Sequence, residues 1–196
     1  MFKRLYENIK SHWAVVFLLL FLFVLGIVIY KDYGISTDEL MQREVAWDWI
    51  DYILNNNKKI IQSPGKIFGP IYEIPIFILE TKLFSIDAYH EIYPFRHLIT
   101  YCFFLIGAAF LYLTIFNLHS NKLLGVLGVV LLVIHPRIFA HSFFNSKDIP
   151  FLVFIILSLF SYVKLLKNRS SIKYILLLGI SIGLSVSIRT VGLLYF

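Results

Sequence analysis

The sequence predicts an all-α polytopic membrane bundle of about five spans, with amphipathic helices lying along its outer face. Three observations carry this. Hydrophobic residues make up 59% of the chain, and the mean hydropathy is +0.78. Several uncharged runs approach the roughly 20 residues that a helix needs to cross a bilayer. The charged residues gather at the ends of those runs, where charge is tolerated, since a charge at a helix centre costs roughly 2.5–3.5 kcal/mol on the insertion scale. The net charge of +6 belongs to basic residues beside apolar runs, so positive-inside topology and anionic lipid headgroups account for it and no nucleic-acid partner is expected. Cys102 lies inside an apolar run and is the single cysteine, which excludes a disulfide framework and a thiol metal site.

Residues 1–12 are short and basic, with Lys3, Arg4 and Lys10, and the uncharged run 13–30 follows. The run is longer than a signal-peptide core and lacks a small-residue cleavage pattern, so it reads as an uncleaved first span with a cytoplasmic N-terminus. Further spans are expected at 98–117, 123–139, 149–165 and 174–187. Segment 67–86 is apolar but holds Glu73, Glu80, Lys82, Pro70 and Pro75, and their cost argues against crossing. Parity agrees. If 67–86 stays outside, Lys122 and the cluster Lys164, Lys167, Arg169 and Lys173 fall inside with the basic N-terminus. Residues 31–97 then form one outer loop, residues 140–149 a second, and the Asp38 and Asp148 motifs share a face.

Within the first outer loop, Ser36 and Glu39 have the S-x-x-E spacing of a capping box. Met41, Val45, Trp49 and Ile53 then recur four apart, which predicts an interfacial amphipathic helix with Trp47, Trp49 and Tyr52 at headgroup depth. Asn55-Asn56-Asn57-Lys58-Lys59 ends it, and Ser63-Pro64-Gly65 makes a turn before the second membrane-hugging segment.

Four motifs in this order resemble the N-terminal part of the GT-C superfamily of integral membrane glycosyltransferases, in its protein O-mannosyltransferase and aminoarabinose-transferase branch. They are Asp38-Glu39 after the first span, Phe68-Gly69-Pro70-Ile71-Tyr72-Glu73, Arg96-His97 at the outer start of the second span, and Asn145-Ser146-Lys147-Asp148-Ile149-Pro150 before the fourth. The resemblance covers nearly the whole chain, read as a single N-terminal transmembrane domain. Because residues 193–196 lie in an apolar run where family enzymes continue through more spans, the chain is expected to be truncated at 196.

The resemblance implies transfer of a sugar from a polyprenyl-phosphate-linked donor to a lipid or protein hydroxyl acceptor at the outer, periplasmic or lumenal, face. Asp38, Glu39 and Asp148 are the implied catalytic carboxylates, with Asp38 as the base. Arg96, and with it Arg189, suits the leaving phosphate through its planar fork, and Lys147 adds a point charge. His97, Asn145, Tyr72 and Glu73 complete the implied substrate-binding set. Asp148 suits an acceptor-orienting role, positioning of a basic residue, or a divalent metal in members that use one. Plainer roles stand beside these. Asp38 and Glu39 suit a helix N-terminus, Asp148 suits a cap ahead of Pro150, and Arg96, Arg137 and Arg189 suit interface anchors. His97, His135 and His141 match no compact ligand spacing. The alternative function is a non-catalytic membrane subunit or transporter fragment that binds lipid-linked substrate. Transporters place ionisable residues near the bilayer midplane, whereas here they sit at span ends. A polyprenyl-phosphate phosphatase is disfavoured because no compact His- and Arg-containing motif is present. Ile, Phe, Lys and Asn usage suits a bacterial inner membrane, with the endoplasmic reticulum membrane as the alternative.

Overall fold

The computed structural model describes residues 11–86 and 88–195, and the basic residues Lys3, Arg4 and Lys10 lie outside this range. Every regular element among the described residues is helical. Helix α1 spans Trp13–Ile29, α2 Thr37–Asn55, α3 Lys59–Gln62 and α4 Glu73–Ile78, with a π-helical turn continuing over Leu79–Leu83. The bundle proper follows with α5 Tyr89–His119, α6 Lys122–Ile134, α7 Pro136–Phe144, α8 Asp148–Lys167 and α9 Ile172–Ile188. Helices α5 and α8 are each long and apolar enough to cross a membrane, while α1 and α9 are shorter apolar helices.

Two boundaries differ from the sequence expectation. Helix α5 begins at Tyr89 rather than near residue 98, and runs through Pro94 in its second turn. The charged and aromatic residues ahead of the apolar run are therefore helical too. The expected span 123–139 breaks at His135-Pro136 into α6 and α7, which meet at a bend of 74°. Proline is well placed as the first residue of α7, where its missing N–H would have been unsatisfied anyway.

Helix α5 is the central element and packs against α1, α6, α7 and α8, while α9 packs on α8. Tyr101 of α5 is fully buried and donates from its hydroxyl to the Leu22 carbonyl of α1 at 2.7 Å. Its ring fills the space that a side chain at Gly26 would need, so the small residue sets the close approach of α1 to α5. Phe143 of α7 stacks on Tyr101 at 4.3 Å on one side and on Tyr33 at 4.2 Å on the other. This sandwich ties the loop after α1 to α7, and it brings the start of α2 beside the loop that ends α7.

The segment between α1 and α5 returns to the end of the bundle where it began. His97 Nδ1 lies 3.3 Å from the Tyr30 carbonyl oxygen, so residues 67–86 do not pass to the opposite end. Tyr72 and Ile76 pack with Ile188 at the end of α9, and a Cβ on Gly69 would collide with the Ser187 carbonyl. At the opposite end, Lys122 donates to Ser11 at 2.6 Å and Lys164 to Asn117 at 2.8 Å. Helix α2 also has a face turned toward the rest of the protein, which the apolar stripe does not define. It presents Glu39, Gln42, Val45, Ala46 and Asp48 inward, whereas Met41 and Ile53 are exposed. The exposed Met41 and Ile53 belong to the stripe expected at the membrane interface, while His97 of α5 engages Glu39 on the inward face.

A charged candidate site at one end of the bundle

Helix α2 opens at an extended Ser36, and Glu39 makes its half of the capping box by reaching back to it. The Ser36 backbone N–H donates to Glu39 Oε2 at 2.8 Å. The other Glu39 oxygen lies 2.8 Å from His97 Nε2. Both carboxylate oxygens are thus engaged and buried, which fastens the first turn of α2 to α5. Asp38, one residue earlier, keeps a side chain 65% exposed. Both carboxylates also lie where the helix dipole favours negative charge.

The facing wall is the loop from α7 to α8. Asn145 Oδ1 accepts the backbone N–H of Lys147 at 3.2 Å and of Asp148 at 2.8 Å, which caps the start of α8. Its amide nitrogen donates to Asp148 Oδ2 at 3.0 Å and lies 2.7 Å from His141 Nδ1. Lys147 is held with its ammonium 4.7 Å above the Phe68 ring. That ammonium donates to Asp38 Oδ2 at 2.8 Å across 109 residues of sequence, from a side chain only 9% exposed. A cavity of about 170 Å³ lies between the walls, lined by Asp38, Glu39, Gln42, His141, Asn145 and Lys147 among others. It is smaller than the roughly 300–1,000 Å³ of sites for drug-sized ligands. Beside it, Asp148 Oδ1 pairs with Arg189 at 2.6 Å, so Arg189 contacts the second acidic motif instead of standing alone as an anchor.

A second charge cluster lies deeper. Arg96 is 3% exposed and pairs with Glu73 and with Glu80, the latter at 3.2 Å. Glu80 also receives Arg43 of α2 at 2.6 Å. These contacts join α2, α4 with its π-helical turn, and α5, and pair two carboxylates that are almost wholly removed from water, although Glu73 Oε1 itself has no hydrogen-bond partner among the described residues. Tyr72 is buried beside this cluster and donates from its hydroxyl to Thr100 at 3.3 Å. Burial pushes its phenol well above the ordinary range, so it remains a neutral donor.

The structure therefore divides the sequence-predicted residues into groups. Asp38, Glu39, Asn145 and Lys147 line one cavity, and Asp148 and Arg189 adjoin it. Arg96, Glu73 and Tyr72 form the deeper cluster and do not line the cavity, while His97 buttresses Glu39. No group of three His, Cys, Asp or Glu that could hold a metal occurs among the described residues, and the Asp148 carboxylate is shared between Arg189 and Asn145. Sequence reasoning missed Gln42. Its position four residues after Asp38 places it on the same side of α2, and that spacing was the available signal.

Fold and site together define a class, a helical membrane protein with a partly enclosed, charged cavity where the helices end. Residues 77–196, more than half of the chain, match the family described as dolichyl-phosphate-mannose-protein mannosyltransferase. The chain belongs to that family, and so to the membrane glycosyltransferases of GT-C type. The match includes Arg96, Asn145, Lys147, Asp148 and Arg189, and begins after Asp38, Gln42 and Glu73. Neither a curated protein nor a solved structure matches the chain.

Proposed function

We propose that this protein transfers a sugar, mannose by the family's description, from a polyprenyl-phosphate carrier to an acceptor hydroxyl at the outer membrane face. The observation that carries this reading is the contact of Asp38 with Lys147 across one small cavity. A carboxylate and an ammonium at opposite walls supply the two charges the reaction uses. Asp38 takes the proton of the acceptor hydroxyl, whose oxygen attacks the anomeric carbon. The bond from that carbon to the phosphate oxygen breaks, and the electron pair leaves with polyprenyl phosphate. Lys147, beside Arg189, meets the phosphate charge. The carrier's chain stays in the bilayer while its headgroup reaches the cavity. The acceptor is a hydroxyl of a protein or a lipid. Glu39 does not exchange protons in this scheme, because both of its oxygens are already committed to Ser36 and His97; it positions the base.

Lys147→Met keeps an unbranched side chain one atom shorter and removes its charge. A charge-assisted hydrogen bond contributes about 1.5–3 kcal/mol, so the donor KM should rise on the order of 10- to 100-fold in membranes assayed with radiolabelled dolichyl-phosphate mannose. An unchanged donor KM would remove Lys147 from the phosphate.

A further inference from the structure

We propose that Gln42 reads the transferred sugar, by donating a hydrogen bond from its side-chain amide to one hydroxyl of the ring. The inference rests on the functional reading above and adds to it the residue that selects the sugar. Gln42 is 2% exposed and lines the same cavity as Asp38 and Lys147. Its amide Nε2 is buried without a hydrogen-bond partner among the described residues. A buried amide donor left unpaired is costly, on the order of the desolvation penalty of the group. Three polar neighbours in the lining are already occupied, Glu39 by Ser36 and His97, Asn145 by His141 and Asp148, and Lys147 by Asp38, and the Ser36 hydroxyl shares with the Gln42 amide the position of a buried polar group without a partner among the described residues.

The position of Gln42 on α2 fits a sugar subsite. It follows Asp38 by one helical turn, so a group bonded to Gln42 lies inward from the base. Neutral amides recognise hydroxyls without demanding charge, and a cavity of about 170 Å³ is the size for one sugar ring rather than a chain of them. A site built to bond a hydroxyl discriminates against an analogue that lacks it, because the protein donor is then stranded. Gln42 thereby sets which hydroxyl must be present, while Asp38 and the phosphate-facing cations act on any donor that fits.

The test compares binding of dolichyl-phosphate mannose with its 2-, 3-, 4- and 6-deoxy analogues, using purified protein and Gln42→Met, which preserves the side chain's length. The unaltered protein should bind one analogue roughly 5- to 10-fold more weakly than the parent, the range expected of a single neutral hydrogen bond. In Gln42→Met that one penalty should disappear while the others remain, and Gln42→Asn should restore part of it. A purely structural role would shift all five ligands together. If Gln42→Met and Gln42→Asn retain the unaltered pattern of penalties, or if they weaken every ligand equally, the assignment of Gln42 is overturned and the transferase reading stands. If the unaltered protein fails to bind dolichyl-phosphate mannose at all, the functional reading itself fails, and the sugar assignment with it.

Discussion

Asp38→Asn is expected to lower sugar transfer by roughly 10²–10⁴-fold, the range typical for removal of a positioned general base. The substitution keeps the size and hydrogen-bonding outline of the side chain but cannot accept the acceptor's proton. Donor affinity should change little, because Lys147 and Arg189 still face the phosphate. The expected signature is therefore a fall in kcat with donor KM nearly constant. Glu39→Gln should behave differently. The carboxylate it replaces is buried between Ser36 and His97, so the loss should appear in stability together with activity. Equal kcat for Asp38→Asn and the unaltered protein would move the base elsewhere.

Arg96→Met should destabilise the protein by about 3–5 kcal/mol, the cost typical of removing one partner from a buried ion pair. Glu73 is left without its guanidinium, and Glu80 retains only Arg43. Because both carboxylates are almost inaccessible to water, hydration cannot replace the lost partner. Adding Glu73→Gln to Arg96→Met removes one stranded charge and should recover part of the loss. Thermal unfolding in detergent, followed by intrinsic fluorescence, reads both effects. Unaltered stability of Arg96→Met, combined with weakened donor binding, would instead place the guanidinium on the phosphate.

The contrast between Asp38 and Arg96 marks how far the sequence could be read. Hydropathy alone established a helical membrane bundle, since a span of about 20 apolar residues has few other uses. The order of short acidic and basic motifs led to the family and to Asp38, Glu39, Asn145 and Lys147 in the cavity wall, but not to Gln42. Pairing was not legible. Glu73 and Glu80 counted only as a cost against crossing, although two carboxylates in an apolar segment already called for buried cations, and Arg96 and Arg43 supply them. The interior face of α2 is not legible for the same reason. An apolar stripe at Met41, Val45, Trp49 and Ile53 points to the membrane interface and says nothing of the other side, where Glu39 and Gln42 turn inward because His97 and the cavity lie there. The break at His135-Pro136 was signalled by proline, but length alone favoured one continuous span.

The central claim is that the Asp38 and Asp148 loops form one site on the outer face of the membrane. It is tested most directly by labelling single cysteines, Asp38→Cys and Asp148→Cys, each in a Cys102→Ser background, with a maleimide that cannot cross the bilayer. Both positions should label in intact cells from outside. Labelling of position 148 only after the cytoplasmic face is opened would put the two acids on opposite sides and contradict the shared site.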